Sequence, residues 1–234
     1  MKNNTAVEVR GLKKKYPGVQ ALKGIKINYP AGKISGLIGP NGSGKSTMLK
    51  AIVGLVNPGA GEIKVFGQKP DRKTKDKIAF LPEINYFYKE MSISRVMNLY
   101  DNQFSNFNYQ KATEILDFMN LKPEMRVKNL SKGMVGRLKL VLAMSREVPL
   151  IIMDEPLAGI DPKSRASILE GLISAYDAER QTIILSTHEV MEAEKFFDYV
   201  VFLDMGEIVL QGNADDLRAE HGKSIQDLLK EVFV

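Results

Sequence analysis

The run Gly39-Pro40-Asn41-Gly42-Ser43-Gly44-Lys45-Ser46-Thr47 satisfies Gly-x4-Gly-Lys-[Ser/Thr], a spacing in which each residue type has a task in holding a triphosphate. Gly39, Gly42 and Gly44 lack Cβ, so the backbone can take positive φ and turn its N–H groups inward as an anion nest. Lys45 brings a full positive charge near the β- and γ-phosphates, and the Ser46 hydroxyl is placed to ligate Mg²⁺. The bland alternative is a glycine-rich turn that binds nothing; a chance match in a chain this long is on the order of one in a hundred. The flanks argue against it. Ile34–Ile38 is an apolar strand and Met48–Val53 opens a helix, whose dipole and free N–H groups point at the same spot.

A second group of chemically capable residues follows the apolar run Leu150-Ile151-Ile152-Met153, which ends in Asp154-Glu155-Pro156. So buried a strand would ordinarily end in something neutral, because an unpaired buried charge is expensive. Mg²⁺ supplies the missing partner. Asp154 can reach the metal directly or through water, as the equivalent acid does in phosphate-loop ATPases. Glu155, pointing elsewhere, can polarise an attacking water. His188 follows the strand Thr182–Leu185 and so emerges at the same sheet edge, where it suits a γ-phosphate sensor.

The elements that must position these groups read as alternating strands and helices. Val7–Arg10 and Ile25–Tyr29 alternate apolar and polar residues, as does Glu62–Gly67; short turns between them predict antiparallel pairing. Tyr16-Pro17-Gly18 is a turn whose ring either packs over the turn or stacks on a purine. Ile78–Leu81 is a short apolar strand. Helices are expected at Ser92–Asn102, Tyr109–Met119 and Met134–Arg146, with Ser92 and Asn108 as N-caps. Beyond them come strand Leu150–Met153, helix Pro162–Tyr176, strand Thr182–Leu185, helix Glu189–Lys195, and a hairpin of Val200–Leu203 with Glu207–Leu210 about Met205-Gly206. Helices Ala214–Glu220 and Ser224–Val232 close the chain as peripheral cover. This alternation predicts a mostly parallel sheet with the Gly39 loop at its carboxyl edge.

Composition sets wider bounds. With 44% hydrophobic and 26% charged residues over 234 positions, the chain has ordinary globular values and can bury a sizeable core. Cysteine is absent, which removes disulfides and thiolate metal sites. A net charge of +5 suits an anionic ligand or a membrane-side location and is a modest excess for nucleic acid; Lys13-Lys14-Lys15 reads as a solvated turn. Neither a signal-like apolar segment at Met1–Thr5 nor a run approaching the ~20 residues of a spanning helix is present, so a soluble, cytoplasmic chain is expected.

Over nearly its whole length the sequence resembles the ATPase subunit of an ATP-binding-cassette (ABC) transporter. Tyr16, Gly39–Thr47, Leu81-Pro82-Glu83, Leu130-Ser131-Lys132-Gly133-Met134, Met153–Pro156, Gly159-Ile160-Asp161 and His188 carry the resemblance, in that order. It implies that Tyr16 stacks on adenine, that Glu83 joins Ser46 and Asp154 around Mg²⁺, and that His188 contacts the γ-phosphate. It also implies that Asp161 sits in the loop linking two subunits. Ser131 and Gly133 would complete the site of the opposite subunit, so that two chains sandwich two ATP molecules; helix-terminal N–H groups give that transfer a physical basis. The lid residue is glutamate where glutamine is usual, and Lys132 stands where glycine is usual, placing a cation near the partner's ATP. Both departures resemble bacterial ABC-2-type exporters, including those handling peptide antibiotics, toxins or lantibiotic immunity.

The expected fold class is α/β: a P-loop NTPase (RecA-like) core with an N-terminal antiparallel β subdomain and an inserted α-helical subdomain. Residues 1–82 and 147–234 form the catalytic part, and 83–146 the helical part with the signature motif. The expected function is an ATP-hydrolysing motor with ATP and Mg²⁺ as cofactors, peripheral on the inner membrane face. Its partners would be membrane-spanning permease subunits and a second ATPase subunit, with no nucleic acid. In the permease-docking groove beside the lid loop, Tyr86, Phe87 and Tyr88 are candidates, or else they are core. Two other classes compete. A nucleic-acid or ribosome-associated cassette would carry two cassettes or a long coiled-coil insertion; a non-hydrolysing clamp would have no need of both Glu155 and His188.

Overall fold

The computed structural model describes residues 5–233. Strand β1 (Thr5–Tyr16) and strand β2 (Val19–Pro30) form a hairpin, and β3 (Ile34–Ile38) leads through the glycine loop into α1 (Lys45–Ile52). Strand β4 (Ala60–Val65), the short helix α2 (Arg72–Lys75) and β5 (Ile78–Leu81) follow, then a run of helices α3 (Ile93–Gln103), α4 (Tyr109–Phe118) and α5 (Lys132–Met144). Alternation resumes with β6 (Leu150–Asp154), α6 (Pro162–Ser174), β7 (Thr182–Thr187), β8 (Tyr199–Asp204) and β9 (Glu207–Asn213), and ends with α7 (Ala214–His221) and α8 (Ile225–Val232).

Two sheets result. One has three strands in the order β2-β1-β4, antiparallel as the short turns predict; the other has six in the order β5-β6-β7-β3-β8-β9, parallel except for β9. Strand period two assigns successive side chains of the large sheet to opposite cores. Ile151, Met153, Ile183, Leu185, Val200 and Phe202 face the core shared with α3, α4, α5 and α6. Leu150, Ile152, Ile184, Val201 and Leu203 face the core shared with α1 and the three-stranded sheet. Strands buried on both faces read as continuous apolar runs, which is why β6 and β7 carry no alternation in the sequence. Among the described residues no helix is long and apolar enough to cross a membrane.

Helix ends follow local chemistry. Ser92 and Asn108 are N-caps as expected, their side chains accepting from Arg95 N and Lys111 N at 3.3 and 2.9 Å, each worth about 1 kcal/mol. Helix α5 begins earlier than the apolar pattern suggests, because Ser131 caps it by accepting from Met134 N. Helix α2, too short to show a hydrophobic period, is closed by a reciprocal cap between Asp71 and Thr74. The expected helix Glu189–Lys195 does not form. The Thr187 hydroxyl donates to the Glu189 carbonyl and accepts from Glu189 N, and the segment makes turns and a short 3-10 helix at Glu194–Phe196 before β8. The turn joining β8 to β9 has positive φ at both Met205 and Gly206, the geometry of a type I′ hairpin.

Candidate nucleotide site

Register brings the chemistry to one rim. In the parallel sheet Ile38 pairs with Thr187 and Asp154 with Ser186, so β3, β6 and β7 end level, and each hands its following residues to the same edge. The loop after β3, the acids after β6 and His188 after β7 all stand there. A cleft of about 590 Å³ opens between them and the hairpin of β1 and β2, lined by Tyr16, Asn41, Gly42, Gly44, Lys45, Ser46, Thr47, Glu83, Glu155 and Met205.

The loop is held by close approach as much as by torsion. A Cβ at Gly39 would lie 2.1 Å from the Leu203 carbonyl oxygen, so no other residue fits against β8. Gly44, with φ 111°, is the left-handed entry to α1, whose first N–H groups are therefore free of any side-chain cap. Ser43 is buried within the loop, while Pro40 and Asn41 form its exposed crest.

Lys45 is 5% exposed, and its ammonium is fully engaged. It donates to the carbonyls of Gly39 and Pro40 at 2.7 and 3.1 Å, and its Nζ lies 3.1 Å from Glu155 Oε1. The other Glu155 oxygen, Oε2, is 2.9 Å from His188 Nδ1. That contact fixes the ring, whose Nε2 lies 3.8 Å from Glu189 Oε1. Glu155 also has φ 46°, a left-handed conformation that costs a β-carbon residue roughly 1–2 kcal/mol. Such strain persists only where surrounding contacts enforce it.

Asp154 is buried and its Oδ1 accepts from two hydroxyls, Ser46 Oγ and Ser186 Oγ, both at 2.9 Å. Ser186 Oγ in turn accepts from Glu155 N at 3.0 Å. Ser186 thus ties the carboxylate of one acid to the backbone of the next, a role sequence reasoning missed. A buried serine at a strand end carries no local signal; only the pairing of β6 with β7 reveals it. The oxygen set of Ser46, Asp154 and Glu83 fits a hard cation such as Mg²⁺, which takes few protein ligands and completes its shell with phosphate and water. Among the described residues no group of three or more His, Cys, Asp or Glu could hold a metal ion.

Three predicted residues lie apart from this cleft. Ser131 is exposed at the start of α5, and Gly133 sits in its first turn. Asp161 is the exposed N-cap of α6; hydrogen bonds from Ser164 hold its carboxyl below the usual range. Tyr16 does border the cleft, 39% exposed, with Lys14 Nζ 5.2 Å from its ring centroid. The ring is accordingly open on the cleft side rather than buried over the turn.

Helix α5 reaches the site through Lys139. Its ammonium donates to the carbonyls of Pro82 and Glu83, and burial pushes it down to about 8 against the opposing pull of Glu83 and Asp154. Of the lid aromatics, Tyr86 is exposed with its hydroxyl 2.8 Å from that of Tyr100, Tyr88 is exposed, and Phe87 packs on the core.

Comparison with known proteins agrees with this geometry. The ABC transporter family model matches residues 22–158. An uncharacterized ABC transporter ATP-binding protein of Nostoc sp. is 32% identical over 207 residues, 85% of this chain and 62% of that protein. The Nod factor export ATP-binding protein I of Rhizobium johnstonii is 34% identical over 223 residues, 92% of this chain and 71% of that protein. A solved ATP binding subunit of an ABC transporter superposes with a TM-score of 0.85 at 30% identity, covering 97% of this chain and 99% of that one. The α/β architecture is therefore the P-loop NTPase fold of ABC cassettes, and the chain belongs to the family of ABC transporter ATP-binding proteins.

Proposed function

We propose that this chain is the ATP-hydrolysing motor subunit of an ABC transporter, an exporter of peptide, toxin or drug-like cargo that works as a two-ATP sandwich dimer on separate membrane subunits. The observation that carries the reading is the unbroken chain of contacts at the rim, from Lys45 to Glu155 to His188 and from Ser46 to Asp154 to Ser186. In it Gly39, Pro40, Asn41, Gly42, Ser43, Gly44, Lys45, Ser46 and Thr47 cradle the triphosphate and Tyr16 stacks on adenine. Ser46, Glu83 and Asp154 would hold Mg²⁺, which would supply positive charge against the developing charge on the phosphates. Glu155 takes the proton of the attacking water, and His188 orients Glu155 and contacts the γ-phosphate. Residues 1–82 and 147–234 serve as the catalytic part, and 83–146 as the helical part. The chain sits peripherally on the inner membrane face.

Gly133 supports the two-subunit arrangement. A Cβ there would meet its own chain only at 3.9 Å and beyond, so internal packing does not demand glycine; close approach of a second subunit's nucleotide would. Ser131 and Gly133 then act in trans and Asp161 lies at the subunit seam. Export is supported by the likeness to a Nod factor export protein and by the resemblance of Glu83 and Lys132 to the pattern of ABC-2-type exporters.

Steady-state phosphate release from Mg²⁺-ATP tests the activity, and an inactive purified chain with its membrane partners would overturn it. Ser186→Ala is a sharper test. It leaves the Glu155 N–H buried without its acceptor and removes one donor from Asp154, a loss of about 1–3 kcal/mol. Turnover is expected to fall about tenfold or more. Wild-type turnover in this variant would remove Ser186 from the mechanism.

Partner docking has its own surface. A groove of about 250 Å³ between the sheet edge and the helices is walled by Leu55, Phe80, Tyr86, Tyr100 and Phe104, with Arg146 stacked 3.8 Å over the Phe104 ring. An apolar groove of this size suits a short helix of a membrane subunit. Leu55, 61% exposed at its lip, is the point to test. Leu55→Arg is expected to reduce co-purification of membrane subunits about tenfold, as loss of an interface anchor does; undiminished recovery would place the contact elsewhere.

A further inference from the structure

Lysine is almost never fully buried unless it is paired. Lys139, 6% exposed on the otherwise apolar inner face of α5, has unusual partners. Its Nζ donates to two consecutive main-chain carbonyls, Pro82 at 2.9 Å and Glu83 at 2.6 Å, and lies 5.9 Å from the ring centroid of Tyr86. All three contacts fall within 82–86, a stretch with no helix or strand of its own between β5 and α3. Glu83 borders both the nucleotide cleft and a second hollow of about 820 Å³ that Lys132 and Lys139 also line.

The placement has an electrostatic consequence. Asp154 and Glu155 are already buried at the rim, with Lys45 as the cation beside Glu155, and Glu83 adds a third carboxylate at the cleft wall. Lys139 approaches from the helical side and is the cation fastened to the Glu83 backbone. Its four-carbon stem is packed in the core of α5, so the ammonium has a fixed origin from which to hold the loop.

We propose that Lys139 is a positioning residue: it pins the main chain at Pro82 and Glu83 to α5 and offsets the Glu83 carboxylate, setting where that carboxylate stands relative to Ser46 and Asp154. This rests on Glu83 being a Mg²⁺ ligand. Groups that orient ligands in this way typically cost 10- to 100-fold in metal affinity when removed.

The test is binding of a fluorescent ATP analogue to the full chain, titrated with Mg²⁺ and again with EDTA, in wild type, Lys139→Met, Lys139→Arg and Glu83→Gln. In Lys139→Met the gain in affinity that Mg²⁺ confers is expected to shrink about tenfold, with the EDTA affinity unchanged. Lys139→Arg should recover part of the gain, and adding Lys139→Met to Glu83→Gln should cost less than it does alone. Amide exchange across 82–88, measured without nucleotide, should accelerate in Lys139→Met. A full Mg²⁺ gain in Lys139→Met overturns the inference, and so does an equal loss with and without Mg²⁺, which would mark a purely structural lysine. Should Lys139→Met fail to fold, a full Mg²⁺ gain combined with wild-type amide exchange in a folded Lys139→Gln overturns it equally. A wild type whose nucleotide binding gains nothing from Mg²⁺ would instead overturn the reading of Glu83 beneath it.

Discussion

Glu155→Gln is expected to lower steady-state phosphate release by about 10²- to 10⁴-fold, the range lost with a general base, while ATP binding persists or tightens. The geometry gives both halves of this result. Glu155 Oε2 is hydrogen-bonded to His188 Nδ1, so an amide oxygen can keep that contact and the ring stays oriented. Proton acceptance is lost, because an amide is not a base at neutral pH. On the other side Oε1 faces Lys45 Nζ at 3.1 Å with both groups buried. An amide there no longer competes for the ammonium, which becomes freer to meet phosphate. A nucleotide that is bound and not cleaved should hold two chains together, so the variant is expected to elute as a dimer with ATP and as a monomer without it. Wild-type turnover in Glu155→Gln would sink the assignment of Glu155; low turnover without an ATP-dependent dimer would sink the sandwich.

The sequence made the framework of this site legible because its signals are local. Gly39 to Lys45 are adjacent in the chain, and the strand before them and helix after them follow from short-range pattern. Asp154 stands out as a charge at the end of an apolar run, and His188 as a titratable group after another. What the sequence did not disclose depends on register and on contacts between distant segments. Asp154 and Ser186 are neighbours only because β6 pairs with β7 in one particular alignment. Lys139 looks like a solvated helix position until α5 is laid against the lid loop, where the ammonium finds two carbonyls. The two hydroxyls that donate to Asp154 Oδ1 are a further case: neither is close to it in the sequence. The segment after His188 is compatible with a helix by local pattern, yet it makes turns and only a short 3-10 helix before β8.

Lys45→Ala is expected to abolish measurable nucleotide binding, weakening it by about 10²- to 10³-fold on loss of charge-assisted bonds worth roughly 1.5–3 kcal/mol each. Folding stability should respond far less, because two effects oppose one another. Removing the ammonium relieves the desolvation of a buried cation, yet it strips the Gly39 and Pro40 carbonyls of their donor and leaves the buried Glu155 without its cation, with the contact to His188 remaining. Lys45→Arg separates charge from shape. The planar guanidinium keeps the positive charge but cannot occupy a 5% exposed site bounded by two carbonyls and a carboxylate, and it should bind nucleotide little better than alanine. Calorimetric titration with an ATP analogue decides the matter. Wild-type affinity in Lys45→Ala would mean that the glycine loop does not hold phosphate, whereas recovery in Lys45→Arg would mean that net charge alone suffices and that the contacts to Gly39 and Pro40 are incidental.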